Sequence, residues 1–498
     1  MLTLVNTNRM LPPIAPVGLD YLAGAARRAG IEVEVLDLCL AEQPQAALAG
    51  YFAAHRPELL GLSLRNVDDC FWPSAAWFVP ELREIVAAVR AATDAPVVLG
   101  GVGFSIFAAQ IVERTGADYG IRGDGEQAIV SLLAELRGAR QWEKVEGLVW
   151  PDNGVVRANA PAWPGSLTVP TQRDAIDNAT YLRRGGQIGV ETKRGCQRQC
   201  IYCADPLAKG SAARLRDPAE VADEIAGLLA QGIDVLHLCD SEFNIPPDHA
   251  RTVCDELIRR RLDRRVRWYT YMAVVPFDAE LARLMARSGC VGINFTSDAA
   301  APTMLHTYRQ PHRRDDLSQA VRLCRQYGMA VLLDLLLGGP GETPETLAET
   351  IRFFQQIGPD CAGAALGVRI YPGTEMAAML AAEGPPETNP NLRRHYEGPV
   401  DLLQPTFYIS SALGSNPARL VRELIGDDRR FFAPEEEPHT VGPIFNRSET
   451  VGEVLQASPE NRATQRDHNY NQNQALSDAI AAGARGAYWD ILRKLHHR

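Results

Sequence analysis

Three cysteines fall within one short segment, TKRGCQRQCIYC: Cys196, Cys200 and Cys203, spaced C-x3-C-x2-C directly after an apolar run that the pattern predicts as a strand. Thiolates are the natural ligands of iron–sulfur clusters. Three of them on one tight loop hold three irons of a four-iron cluster and leave the fourth open to a substrate or cofactor. Structural zinc wants a fourth Cys or His ligand, and after Cys203 none follows until His237. Cys39, Cys70, Cys254, Cys290, Cys324 and Cys361 are scattered among apolar patterns and are expected to be small buried hydrophobes. In a cytosolic chain, a lone tight cluster points to metal before disulfide.

The elements that must position this loop come in two series. Over residues 1–140, short apolar strands (Leu2–Asn6, Glu32–Leu36, Leu59–Leu64, Pro96–Leu99, Tyr119–Ile121) alternate with amphipathic helices such as Gly18–Ala29 and Phe78–Ala92. That alternation predicts a doubly wound parallel sheet, with ligands at the carboxyl ends of its strands. Residues 141–185, rich in Pro, Gly and Asn, suggest a hairpin and a linker. Residues 186–385 hold six more strands (Gln187–Thr192, Val235–Cys239, Val266–Met272, Val291–Thr296, Ala330–Leu337, Ala364–Ile370), which predict a partial or full β/α barrel with its site at the strands' C-terminal ends. Residues 386–498 read as a mixed, mainly helical extension that ends in a helix over Ala475–Leu495.

The C-x3-C-x2-C group, with the aromatic Tyr202 before its last cysteine, resembles the signature of radical S-adenosylmethionine (SAM) enzymes. The resemblance extends along the barrel through CDSEFN (239–244), NFTSD (294–298), GGPGET (338–343) and RIYPGT (369–374), in the family's order. It implies that SAM chelates the open iron. It implies contacts to the SAM amino group from Asp240, Ser241 and Glu242, and to ribose and carboxylate from Thr296, Ser297 and Asp298. Gly338 and Gly339 belong to the fifth strand's end, and the backbone at Arg369, Ile370 and Tyr371 would meet adenine. The fourth-strand segment departs from the family's usual Gly-Val-Glu-Ser. Glu242 is open to three roles: a SAM hydrogen bond, approach to the open iron, or a surface carboxylate.

The first series has no G-x-G-x-x-G after its first strand and no Walker pattern, so a dinucleotide or ATP site is a poor fit. In its order of motifs (PPIAPVGLDYLAGAARRAG, LGLSLRN, VVLGGVG, RGDGEQAI) it resembles the Rossmann-like cobalamin-binding domains fused to radical SAM barrels. This implies that Ser63 and Leu64 meet the dimethylbenzimidazole tail. Gly100, Gly101, Val102 and Gly103 would let backbone approach the corrin or its tail, and Gly123, Gly125 and Glu126 would line the tail channel. The glycines are also open to a purely structural role in tight turns. The first loop, NTNRMLPPIAPVG, lacks the D-x-H-x-x-G that carries a cobalt-ligating histidine, so base-off cobalamin without a histidine ligand is expected. Arg65 or Asn66 would face cobalt instead, unless Arg65 only pairs with Asp68 or Asp69.

The two domains together resemble the class B radical SAM methylases. The resemblance implies C-methylation of a small-molecule or peptide substrate by way of methylcobalamin, by a radical or a polar route, with an external flavodoxin- or ferredoxin-type electron donor. The alternatives are a non-methylating rearrangement, cyclisation or oxygen insertion within the same superfamily, and an iron–sulfur redox or sensor protein. Tyr269 and Tyr271 share one face of the third barrel strand and are candidates for the barrel's mouth, core packing being open for at least one. Tyr470, Asn471, Asn473 and Trp489 are candidates for a cap over the cavity. The formal net charge of −10 lacks the footprint of a nucleic-acid binder, and the basic run at Arg259–Arg261, Arg264 and Arg265 reads as a solvated helix face. No apolar stretch is long enough to span a bilayer, and MLTLVNTN does not have a secretory pattern. Cytoplasmic location is expected.

Overall fold

Five short strands, β1 (Leu2–Asn6), β2 (Val33–Asp37), β3 (Leu59–Ser63), β4 (Val97–Gly100) and β5 (Tyr119–Ile121), pair in parallel in the order 2-1-3-4-5. The computed structural model describes residues 1–10, 12–435 and 473–496. The residues of β1 are buried throughout, as a central strand covered by helices on both faces requires. The strand order reverses between β1 and β3, so the crevice that binds ligands in such sheets opens above those two strands. The hairpin β6 (Leu148–Asp152) and β7 (Val155–Ala158) turns on Asn153 and Gly154, both at positive φ (51° and 83°), as a two-residue Asn-Gly turn demands. It does not stand alone in a linker. β6 pairs antiparallel with β5, and the hairpin extends the first sheet to seven strands.

The second sheet runs β8 (Gly189–Val190), β11 (Val235–Leu238), β12 (Arg267–Ala273), β13 (Cys290–Asp298), β14 (Ala330–Leu337), β15 (Cys361–Leu366) and β19 (Phe431–Phe432), all parallel. It is an open, partial barrel, and β19 is a strand that the sequence pattern does not reveal. Two antiparallel ribbons stand apart. One pairs β9 (Lys193–Arg194) with β10 (Arg214–Leu215); the other joins β16 (Val368–Arg369), β18 (Phe407–Tyr408) and β17 (Leu392–Arg393). The expected sixth strand is broken at Gly367 (φ 92°), which separates β15 from β16.

Alternation sorts the barrel strands. Leu236, Leu238, Trp268, Met272, Ile293, Phe295, Leu333 and Leu335 pack outward against the helices. Val235, Tyr269, Leu332 and Cys361 point inward at the strands' N-terminal ends, where Trp489, Ile491 and Leu492 fill the barrel floor. The expected long terminal helix is two, Gln474–Ala481 and Tyr488–His496, separated by Gly483 and Gly486, both at positive φ. Trp489 therefore plugs the bottom of the barrel and does not cap its mouth. Asn473 caps the first of these helices, its Oδ1 accepting the Leu476 N–H at 3.0 Å. Tyr470 and Asn471 lie outside the described residues.

The two halves are joined by buried charge. Arg173 donates to Asp20 (2.6 Å), Glu224 (2.7 Å) and the Gly189 carbonyl (2.9 Å). Arg216 and the Tyr21 hydroxyl also donate to Glu224, at 2.7 and 2.9 Å. Arg173, Asp20 and Glu224 have almost no exposed side-chain surface. Separately, Asp68 of the first domain accepts from Arg369 of the second at 2.8 Å.

Candidate active site

The cysteine loop leaves β9 and returns through β10. Gly195 (φ 92°) starts it, and a Cβ there would lie 2.2 Å from the Ala212 carbonyl. The Cys196 N–H donates to the Gly210 carbonyl at 3.1 Å. Burial pushes all three thiols up from their ordinary range, Cys200 to about 12. Each thiolate would need positive charge close by, which cluster iron supplies. Among the described residues no three His, Cys, Asp or Glu side chains converge on a single-ion site. A four-iron cube, with one thiolate per iron, does not need them to.

Glu242 is not a surface carboxylate. Its Oε1 accepts from the Thr296 hydroxyl at 2.6 Å, and its Oε2 is buried without a partner. Its charge acts on Cys196 and Cys200, and burial pushes its carboxyl up to about 7. It is the orphaned acceptor that a cluster or a bound ammonium would satisfy. Tyr202 stands at the other side of the loop and donates to Asp298 at 2.6 Å. Asp298 (φ 55°) also accepts from Gln310 Nε2 at 2.6 Å, and that same amide is 3.3 Å from Cys200 Sγ. Gln310, in no recognised motif, links the fourth-strand segment to the cluster loop; no sequence signal marks it.

Several motif residues prove to be scaffold. Asp240 accepts from the Thr192 N–H (2.7 Å), the Thr192 hydroxyl (2.5 Å), the Lys193 N–H (3.2 Å) and Lys193 Nζ (3.0 Å). These four donors saturate it, so its place is beneath the cysteine loop and not against the SAM amino group. Ser241 donates to Asp205 (2.5 Å), and Ser297 to the Asp334 carbonyl (2.7 Å). Gly338 donates its N–H to Glu342, and a Cβ on Gly339 would meet the Tyr308 hydroxyl at 2.2 Å, so both glycines serve the turn. Ile370 donates its N–H to the Thr406 carbonyl and accepts from Arg369, which leaves its backbone little for adenine. Tyr371 turns to the first domain, its hydroxyl 3.0 Å from Cys70 Sγ. Cys70 is thus an exposed loop residue at the domain junction, not a core cysteine.

In the first domain, a small hollow opens over β1 and β3, lined by Thr7, Asn8, Arg9, Leu64, Arg65 and Asn66 among others, none of them histidine. Asn8 Nδ2 is buried there without a partner. The Arg65 side chain is exposed and donates to Asn66 Oδ1 (3.0 Å); Asp68 pairs with Arg369, and Asp69 with Ser74. Across the gap, the Arg65 charge acts on His237 of the barrel. Ser63 presents its carbonyl to the Thr7 hydroxyl at 2.7 Å. Gly101 and Gly103 admit the backbone of Leu64 and Asn66, which a Cβ would approach to 2.4 and 2.8 Å; a Cβ on Gly100 would lie 3.8 Å from the Ile121 carbonyl. Val102 beside them is exposed. Gly123 and Gly125 back onto Trp163 and Leu22. Glu126 holds Arg194, two residues before Cys196, at 2.9 Å, and so ties the cluster loop to the first domain.

The expected pair Tyr269 and Tyr271 separates. Tyr269 donates to Asp490 of the floor helix at 2.7 Å and stacks edge-on against Trp489, which makes it core. Tyr271 stands one step higher in the lumen, 4.6 Å from the His237 ring.

A cobalamin cradle in front of a thiolate-bearing partial barrel defines a cobalamin-dependent radical SAM enzyme. Residues 5–133 match the family model for the B12 binding domain, and residues 190–354 that of the Radical SAM superfamily. The chain is 30% identical to the tryptophan 2-C-methyltransferase of Streptomyces laurentii, over 98% of this chain and 94% of that one. It superposes with the radical SAM methyltransferase TsrM of Kitasatospora setae, solved with tryptophan substrate and a SAM analogue, at a TM-score of 0.86 and 30% identity, covering 100% of this chain and 98% of that one. The cobalamin-dependent enzyme OxsB, at 16% identity and a TM-score of 0.68 over 82% of this chain and 64% of that one, shares the fold. The chain belongs to the cobalamin-dependent radical SAM methyltransferases.

Proposed function

We propose that this enzyme C-methylates tryptophan, or a closely similar indole amino acid, at the indole carbon between the ring nitrogen and the side-chain carbon. The observation that carries this is the end-to-end match to a tryptophan 2-C-methyltransferase, which covers the C-terminal region as well as both cofactor domains. The same match favours methylation over cyclisation or rearrangement.

Cys196, Cys200 and Cys203 would hold the cluster, and the orphaned Oε2 of Glu242 supports a role as its fourth ligand. The hollow at Leu64, Arg65 and Asn66 would hold cobalamin with no protein histidine beneath it. When bound, SAM would supply the methyl group, cobalamin would carry it, and the cluster would relay electrons from an external donor to keep cobalt reduced. The chain's own residues position and exclude. Thr296 fixes Glu242, Tyr202, Asp298 and Gln310 brace the cysteine loop, and the floor helix closes the lumen to water from below. Glu242 as a ligand of the open iron would keep SAM from chelating it, which would favour the two-electron route over the radical one. Among the described residues no helix is long and apolar enough to cross a membrane. We place the enzyme in the cytoplasm, served by a flavodoxin- or ferredoxin-type donor, with no nucleic-acid partner.

The test is anaerobic reconstitution with iron, sulfide and cobalamin, then incubation with SAM, reductant and tryptophan. Mass spectrometry should find singly methylated tryptophan; unmethylated tryptophan beside consumed SAM would reject the assignment.

A further inference from the structure

The lumen of a β/α barrel is ordinarily filled by layers of branched apolar side chains. Here the floor layer obeys that rule, with Val235, Tyr269, Leu332 and Cys361 packed on Trp489. The next layer up is polar on four successive strands: His237, Tyr271, Asn294 and Asp334. They are neighbours in space. His237 lies against Tyr271 at 4.6 Å, Tyr271 is the register partner of Asn294, and Asn294 Nδ2 donates to Asp334 Oδ2 at 2.7 Å. Thr296, two residues beyond Asn294 and the register partner of Asp334, holds Glu242, whose charge acts on Cys196 of the cysteine loop.

This layer is built and incomplete. His237 and Asn294 are each only 4% exposed, yet His237 Nε2 and Asn294 Oδ1 have no hydrogen-bond partner. Orphaned buried polar atoms cost free energy unless a ligand satisfies them. Gly363 of β15 lies against Asp334; a Cβ there would come within 2.3 Å of Asp334 Oδ1, so the bare glycine keeps room for the carboxylate. The layer's formal charge is negative: one carboxylate, one amide, one phenol and an imidazole that burial holds neutral, down to about 4.

We propose that Asp334 and Asn294 form the subsite for the protonated α-amino group of the substrate, Asp334 supplying the counter-charge and Asn294 Oδ1 a second acceptor. An ammonium brings the donor that Asn294 Oδ1 lacks and the positive charge that the Asp334 carboxylate would balance, and His237 adds none to oppose it. The inference rests on the amino-acid substrate proposed above and goes further in naming which end of the substrate enters the barrel and what holds it. It assigns specificity rather than chemistry to these residues.

The experiment compares tryptophan with indole-3-propionate, which lacks only the amino group. Binding to the anaerobically loaded enzyme without SAM is measured by calorimetry, and KM and kcat with SAM. Wild type should prefer tryptophan. Asp334→Asn should weaken tryptophan binding by about 10- to 100-fold, the loss of a hydrogen bond to a charged group, with KM rising in step, kcat little changed and indole-3-propionate unaffected. Asn294→Asp, which keeps size and adds a carboxylate, should instead widen the preference, and it decides the matter if Asp334→Asn fails to fold. Variants that bind both ligands in the wild-type ratio overturn the subsite while the substrate assignment stands. Wild type that binds neither ligand overturns the substrate assignment, and the subsite with it.

Discussion

Arg173→Met should separate the contribution of the domain junction from that of the cofactors. Arg173 sits between Asp20 of the first domain and Glu224 of the barrel and reaches the carbonyl of Gly189 in β8, the strand that feeds the cysteine loop. Methionine keeps most of the volume and removes the charge. Glu224 keeps Arg216 and Tyr21. Among the described residues Asp20 keeps the Asn178 amide (3.0 Å) and the Ala175 N–H (3.1 Å) but no cation, which leaves a buried, uncompensated carboxylate. Breaking a buried pair in this way costs about 3–5 kcal/mol. At roughly 2–4 °C per kcal/mol for a domain of this size, the melting temperature should fall by about 6–20 °C. Arg173→Lys should recover little, because one ammonium lacks the planar fork that reaches both carboxylates. The assay is scanning calorimetry of the cofactor-free protein, with added salt as a control; the loss should persist in salt because the pair is buried. Adding Asp20→Asn to Arg173→Met should cost less than adding it to wild type. A melting temperature within the error of wild type, or additive single and double variants, would refute the claim that this network holds the two halves together.

His237 takes a proton near pH 6.5 when unfolded but only near pH 4 in the folded chain. The unfolded state therefore binds more protons between those values, and stability falls as pH falls across that window, by at most about 3.4 kcal/mol; His237→Phe should flatten that part of a denaturation-versus-pH curve, and an unchanged slope would sink the assignment. Replacing Cys196, Cys200 and Cys203 together with alanine should abolish the brown chromophore and all SAM consumption, whereas a full complement of iron in that variant would reject the loop as the cluster site. Paramagnetic resonance of the Co(II) form should show no axial nitrogen splitting, since no histidine lines the hollow. Arg65→His should still bind cobalamin but methylate slowly, and wild-type rates would remove Arg65 from the mechanism.

Local signals were legible in the sequence and long-range ones were not. The cysteine spacing lies on one loop, and the apolar runs of β1, β5 and β14 begin and end where the pattern places them. Motif order names the strand end but not the direction in which a side chain turns. Asp240 and Glu242 lie two residues apart in CDSEFN, yet one is saturated by Thr192 and Lys193 while the other keeps a bare oxygen toward the cysteines. The period of two places Tyr269 and Tyr271 on one face, but only the floor helix, some 220 residues later, decides that the lower ring is core. Glu126 shows the same limit: a residue in a cobalamin-type turn is recruited across the interface by Arg194.

Isotopic labels follow the methyl group itself from SAM to the indole ring. The loaded enzyme is given SAM with a deuterated methyl and tryptophan deuterated at the indole carbon between the ring nitrogen and the side-chain carbon. The product should gain the intact deuterated methyl and lose the ring deuterium, with S-adenosylhomocysteine formed once per product and almost no 5′-deoxyadenosine. A ring deuterium retained in the product would contradict the site of methylation, and 5′-deoxyadenosine formed in step with product would contradict the place given to Glu242.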